Sequence, residues 1–258
     1  MSAPTAVRTG PHRGARIAIE MFVRELARRW PTVLFMIFMP ASYFLVSYLT
    51  NDPDDVVPVA IFTGAGYEQL PVLDRAFKAL YLAVLGISIT SSFAALTTVR
   101  GNTPIMRRLR LVGFRASQLL SARLFVLAII TLLSTVVFLA IFLPLVPVRS
   151  VGLVTLSLLL VGLIGVGLGT LVGLLLQREF EAAMIIIAIA GIQMALGRGG
   201  ASAEKYLIYW PAVEALKTAA FSPTPAVGSH LGLAALYVVG LFLASFAVWS
   251  WRTRIWTR

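Results

Sequence analysis

Residues 100–123, RGNTPIMRRLRLVGFRASQLLSAR, contain six arginines and no carboxylate. Nothing nearby neutralises this charge, because no acidic residue occurs between Asp74 and Glu179. Guanidinium groups bind carboxylates and phosphates through paired hydrogen bonds. The chemistry that this stretch offers is therefore ionic contact, either with acidic residues of another protein or with anionic lipid headgroups.

The residues that catalysis and ATP hydrolysis require are missing from the sequence. It contains no cysteine and two histidines, His12 and His230, and it lacks HExxH, GxSxG and clustered carboxylates. A phosphate-binding P-loop needs Gly-Lys-[Ser/Thr], but Lys78, Lys205 and Lys217 follow Phe, Glu and Leu. We therefore expect a chain that is not an enzyme, has no metal site, and takes any energy for work from another polypeptide.

The elements that carry these arginines are predicted to be membrane helices. The chain is 59% hydrophobic and only 13% charged. Six segments are uncharged: 31–50, 79–99, 124–148, 150–177, 182–197 and 231–251. About 20 apolar residues cross a bilayer, so five segments are long enough and 182–197 is short, at about 24 Å of helix. The sequence thus predicts an all-α polytopic membrane protein with six transmembrane helices.

The distribution of basic residues predicts the orientation. With both termini in the cytoplasm, sixteen of the 22 basic residues lie on the cytoplasmic side, and the other side takes seven of the eleven acids. This is the pattern of the positive-inside rule, and we expect a multi-pass protein of the plasma (inner) membrane. The basic residues border apolar segments and form no nucleic-acid-binding motif, so the expected counter-charge is lipid and not nucleic acid.

The chain divides into three predicted parts. Residues 1–12 are predicted to be a disordered leader, 13–30 an interfacial amphipathic helix, and 31–258 the six-span domain; no cleavable signal peptide is evident. The interfacial helix has an apolar stripe that we expect to lie in the headgroups, formed by Ile19, Phe22, Val23, Leu26 and Trp30.

The loop 100–123 contains the signals of one short capped helix. Thr103 suits the N-cap, Pro104 the first helical position and Gly113 the position after the last turn. The predicted faces are an apolar one, with Ile105, Leu109 and Val112, and a basic one, with Arg107 and Arg110. As a minimal interpretation, the arginines only hold this loop in the cytoplasm.

Two further patterns concern packing. Gly165, Gly169 and Gly173 recur at every fourth position, which predicts a helix face that another helix approaches closely. Residues 198–228 are apolar but interrupted by Gly and Pro, and we expect a re-entrant segment on the extracellular side, with Pro211 opening a helix.

Two stretches resemble the membrane subunits of type-2 ABC exporters, close to the daunorubicin-resistance-like permeases: TPIMRRLRLVGFRASQLLSARL (103–124) and YLIYWPAVEALKTAAF (206–221). The order of the predicted elements is similar to that family over nearly the whole chain. One departure is visible. Such families commonly have a glutamate-containing run before the loop helix, and TTVRGNTP has none, which leaves the detailed ATPase contacts open.

The resemblance implies that two membrane subunits pair, most simply as a homodimer, and that two copies of a separate ATPase dock beneath them. That ATPase would bind ATP and Mg²⁺, and this chain would need no cofactor. The docking residues implied are Thr103, Ile105, Met106, Arg107, Arg108, Leu109, Arg110, Val112 and Gly113. The resemblance also implies a dimer contact and path along spans one, two and five, with Phe35, Phe38, Ser91 and Met194 as candidates. An exit gate is implied at Tyr206, Tyr209, Trp210 and Pro211.

The function expected from this resemblance is the outward movement of a lipophilic or amphipathic molecule such as a drug, lipid or glycolipid. Two alternatives stay open. An ion-coupled secondary transporter usually needs a charged residue inside its spans, and the six predicted spans have none. A structural or assembly role in the membrane is the other.

Overall fold

The computed structural model describes residues 11–28, 30–52, 54–63, 66–101, 114, 116–176, 178–196, 205–223 and 225–255. Within these residues the chain forms eight helices and a two-stranded sheet. In chain order they are α1 (Pro11–Arg28), α2 (Trp30–Thr50), β1 (Val56–Phe62), β2 (Tyr67–Leu73), α3 (Asp74–Gly101), α4 (Ala116–Leu145), α5 (Val151–Leu175), α6 (Glu179–Leu196), α7 (Trp210–Phe221) and α8 (Gly228–Ile255). Residues 1–10 of the predicted leader lie outside the described part.

Five helices are long and apolar enough to cross a membrane. Their apolar parts are Val33–Thr50, Asp74–Arg100, Ser117–Phe142, Val151–Leu175 and Gly228–Arg252. They correspond to the predicted spans one to four and six. The predicted fifth span is α6, which has 18 residues and begins with Glu179 and Glu181. At about 27 Å it is close to the thickness of the hydrocarbon core, but it is not one of the five.

The helix ends gather on two sides of the bundle. The Tyr48 hydroxyl donates to the Leu145 carbonyl at 2.9 Å, which joins the ends of α2 and α4. The Arg75 guanidinium in the first turn of α3 lies 4.7 Å from the centre of the Tyr48 ring. The Arg149 amide before α5 donates to the Ala220 carbonyl of α7 at 3.3 Å. We call this the hairpin side, and the opposite side, with the end of α3 and the start of α4, the loop side.

Helix α1 packs on the loop side. Its Ala18 and Phe22 are buried in one apolar cluster with Val99 of α3 and Leu120 of α4. The helix begins at Pro11, two residues before the predicted start at residue 13. Trp30, predicted to end the interfacial helix, is instead the first residue of α2.

The segment between α2 and α3 forms a hairpin. Strands β1 and β2 pair antiparallel, with Phe62 opposite Tyr67. One face of the hairpin is apolar and packs against the ends of α3 and α7; its buried residues are Val59, Ile61 and Val72. The prediction of an all-α chain therefore holds for the membrane helices but missed this hairpin. The alternation in VVPVAIF was the available signal.

The core is built where α5 lies against α3. A Cβ atom on Gly165 would be 2.8 Å from the Ser88 carbonyl oxygen, and one on Gly169 would collide with the carbonyl oxygen of Ser92. Contacts this short leave no room for a side chain, so the two backbones touch. The prediction that another helix closely approaches the face of Gly165, Gly169 and Gly173 is confirmed, and that helix is α3.

Candidate functional site

The predicted ATPase-docking residues, 103–113, lie outside the described residues. The helices on either side of them are described: α3 ends at Gly101 and α4 begins at Ala116. The loop therefore connects the end of α3 to the start of α4.

The residues of the predicted interfacial stripe divide between two environments. Phe22 is buried, and Ile19 and Leu26 are half-buried against the same cluster of α3 and α4. Val23 and Trp30 are 49% and 62% exposed. The expectation that the whole stripe lies in lipid headgroups is therefore wrong for Phe22, which packs inside the protein.

The predicted path and dimer residues are not on one surface. Phe35 and Phe38 are 61% and 49% exposed on α2. Ser91 is buried inside the protomer, where its hydroxyl would lie 3.4 Å from a Cβ placed on Gly162 of α5. Met194 belongs to α6, and its side chain is outside the described part. Two of the four positions thus share an outward-facing surface.

The four predicted gate residues come together at the start of α7. Tyr206 is 89% exposed, whereas Tyr209 is 2% exposed. The Trp210 ring lies 5.2 Å from the ring of His230 at the start of α8. Pro211 occupies the first turn of α7, as predicted, and is buried.

Helix α7 is buried on all sides although it contains two charged residues. Every residue from Pro211 to Ala220 is buried, against α5, α8 and the hairpin. Glu214 Oε2 and Lys217 Nζ lie 2.6 Å apart, and their side chains are 1% and 8% exposed. Because an unpaired charge is costly to bury, each group depends on the other. The pairing was not predicted from the sequence, although the i, i+3 spacing of the two residues could have indicated it.

Tyr209 connects α7 to the centre of the bundle. Its hydroxyl lies 3.4 Å from the Ser92 hydroxyl, which itself lies 2.7 Å from the Ser88 carbonyl and 3.0 Å from the Gly165 carbonyl. Gly165 is near the middle of the apolar part of α5, Val151–Leu175. The polar end of Tyr209 therefore reaches the middle of a membrane-length helix, which agrees with a segment that enters the membrane domain.

Arg123, at the end of the basic stretch, is buried inside the bundle. It lies inside α4, is 1% exposed, and its guanidinium is 4.9 Å from the centre of the Phe22 ring. The interpretation of all six arginines as loop charge is wrong for this residue. Together with Glu214 and Lys217, it also shows that the bundle holds buried charge.

Within the described residues, no group of three or more His, Asp or Glu side chains is arranged to hold a metal ion. The buried polar groups of the described residues include several hydroxyls, the Glu214–Lys217 ion pair and the Arg123 guanidinium.

Five helices of membrane-spanning length, packed around a glycine-lined core, define the chain as a helical membrane protein. No family model matches the chain, and no curated protein shows significant similarity to it.

Proposed function

We propose that this chain is the membrane subunit of a type-2 ABC exporter that moves a lipophilic or amphipathic molecule outward. A separate subunit would bind ATP and Mg²⁺ and hydrolyse the nucleotide. We further propose that two protomers pair in the plasma membrane, with both termini and the loop side in the cytoplasm. In this proposal α6 also crosses the membrane, as the fifth of six spans, and Val23 and Trp30 hold α1 at the membrane surface.

One observation supports this function above the others. A buried helix on the hairpin side, α7, is joined by hydrogen bonds through Tyr209 and Ser92 to α3, and α3 leads directly into the basic loop on the opposite side. A subunit that uses energy from another polypeptide needs such a connection between its docking surface and its exit.

The packing indicates which helices would move together. Helices α3 and α5 touch backbone to backbone at Gly165 and Gly169, so they shift together. The Ser92 hydroxyl contacts Gly165 and Tyr209 at once, so α7 follows them. In our proposal, docking of the ATPase at the loop tilts α3 and α4, and α7 opens or closes the exit.

The arginines of the loop would steer and select the ATPase through complementary charge, and the apolar face would supply the packed contact. The test is reconstitution of the chain with a candidate ABC ATPase from the same genome, followed by pull-down and amphiphile-stimulated ATP hydrolysis. Leu109→Asp and the double reversal Arg107→Glu, Arg110→Glu should reduce both readouts while membrane insertion stays normal.

The matched control is Arg178→Glu, because the Arg178 side chain is 82% exposed and precedes α6 in another loop. It should keep most of the pull-down and of the stimulated hydrolysis. Wild-type values of both in Leu109→Asp would show that the loop does not dock an ATPase.

A second candidate function, ion-coupled transport, is favoured by the buried pair Glu214–Lys217. Charged groups buried in a membrane domain commonly mark ion pathways. The two functions differ in vesicles that contain this chain alone. Transport driven by a proton gradient without any ATPase would support ion coupling and contradict the exporter.

A further inference from the structure

Arg123 is a buried cation whose hydrogen-bonding capacity is unused. All three guanidinium nitrogens are buried, and none has a hydrogen-bond partner. The Glu25 carboxylate acts on Arg123 electrostatically but accepts no hydrogen bond from it. Arginine offers five N–H donors and stays charged, so leaving all of its donors unsatisfied is costly unless an anion completes the site. The contact with the Phe22 ring, at 4.9 Å, satisfies one face of the guanidinium but none of its donors.

Arg123 lines a cavity of about 260 Å³ on the loop side, where α1, α2, α3 and α4 meet. The walls are mainly apolar and include Leu26, Val33, Met36, Val126, Leu127 and Ile130. Such a space, close to the lower end of the about 300–1,000 Å³ that ligand pockets occupy, suits a headgroup with part of an alkyl chain.

The other polar groups of the cavity do not offer free hydrogen-bond donors to an anion. The hydroxyls of Thr97 and Thr98 donate to their own helix, at 2.9 Å to Phe93 and 2.6 Å to Ala94. Glu25, half-buried on α1, also lines the cavity, and its carboxylate interacts electrostatically with Arg123. Arg123 is therefore the group that selects the ligand, and Glu25 disfavours ligands of high negative charge.

We propose that this cavity binds a singly charged anionic amphiphile, a phosphodiester lipid of the adjacent leaflet, with its phosphate on Arg123 and an alkyl chain along the apolar walls. A guanidinium binds a phosphate through two parallel hydrogen bonds, which matches the unused donors. The amphiphile also ties α1 to α4. This site does not depend on the exporter proposal, because the chain alone should bind the lipid.

The test is lipid retention by the purified full-length chain. The chain is exchanged into phosphatidylcholine nanodiscs with or without phosphatidylglycerol, and bound lipid and thermal unfolding are measured by native mass spectrometry and light scattering. The wild-type chain should retain phosphatidylglycerol over phosphatidylcholine and melt at a higher temperature with it. Inorganic phosphate, added alone, should do neither.

Arg123→Met should lower the affinity for phosphatidylglycerol about tenfold or more, as expected for the loss of a charge-assisted hydrogen-bonding partner. It should still fold, because it removes a buried guanidinium that no hydrogen bond satisfies. Val33→Phe keeps the arginine but narrows the cavity from the α2 side, and should also lower retention.

The control is Arg178→Met, which removes an exposed arginine and should leave retention unchanged. Equal retention by the wild-type chain and Arg123→Met would overturn the proposal. A stabilisation by inorganic phosphate as large as that by phosphatidylglycerol would also overturn it, because the site would then bind free anions.

Discussion

Glu214 and Lys217 form an ion pair one turn apart on α7, with 2.6 Å between Oε2 and Nζ. The pair is enclosed by α5, α8 and the hairpin, in a helix whose ten residues from Pro211 to Ala220 are all buried. Burial in a medium of low dielectric strengthens the attraction and also makes either charge costly without the other. The pair therefore makes α7 sensitive to any change that separates its two members.

Removing one member of this pair should destabilise the chain more than removing both. Glu214→Gln or Lys217→Met leaves a lone buried charge, and we expect each to lower the free energy of unfolding by about 3–5 kcal/mol. The double variant Glu214→Gln, Lys217→Met should lose clearly less free energy of unfolding than the sum of the two single losses. Unfolding in detergent by denaturant measures all three.

An exposed pair provides the comparison. Arg16 and Glu20 lie 3.0 Å apart on α1, with side chains 82% and 52% exposed. Glu20→Gln should change the free energy of unfolding by at most about 1 kcal/mol. Losses of similar size at Glu214 and Glu20 would mean that the α7 pair is not buried in the folded protein.

The glycine contact between α3 and α5 gives a second prediction. Gly169→Ala places a Cβ against the Ser92 carbonyl oxygen and should cost about 1–3 kcal/mol by forcing the helices apart. Gly240→Ala, in α8, meets nothing within 4 Å and should be neutral or slightly stabilising. Thermal unfolding of the two variants compares them directly. A Gly169→Ala variant as stable as Gly240→Ala would contradict the contact.

The membrane helices could be predicted because the bilayer requires each spanning segment to be long and apolar, and both properties can be read from that segment alone. The face formed by Gly165, Gly169 and Gly173 could be predicted for the same reason, since its period is that of a helix. Which helix packs on this face could not be predicted, because the contacting residues of α3 are far from those of α5 in the sequence.

The hairpin and the buried charges were missed for physical reasons. Pro58 and Pro71 stand opposite each other in β1 and β2 and make the segment resemble an irregular connection. Arg123 was grouped with the loop arginines because the sequence gives the charge but not its burial. Its distinct role depends on Phe22, which reaches it from α1.

Neighbouring residues of α1 should differ sharply in their effect on stability. Phe22→Ala removes a ring that is 3% exposed and should cost about 3–5 kcal/mol. Val23→Ala alters a side chain that is 49% exposed and should change the stability by about 0.5 kcal/mol or less. Denaturant unfolding in detergent separates the two. Similar losses would mean that α1 detaches from α4 in solution.

Pairing of two protomers through α2 can be tested by crosslinking, because the chain contains no cysteine. Phe35→Cys and Phe38→Cys lie on the exposed face of α2 and should each form a disulfide between subunits on mild oxidation in the membrane. Ser91→Cys, buried inside the protomer, should not. Leu236→Cys, 63% exposed on α8, is the matched control for chance collision between apolar surfaces. If α2 forms the contact, Phe35→Cys and Phe38→Cys should still crosslink when the protein is diluted in lipid. At the same protein-to-lipid ratio, Leu236→Cys should no longer crosslink. Crosslinking at Leu236 alone would place the contact on α8 and rule out pairing through α2.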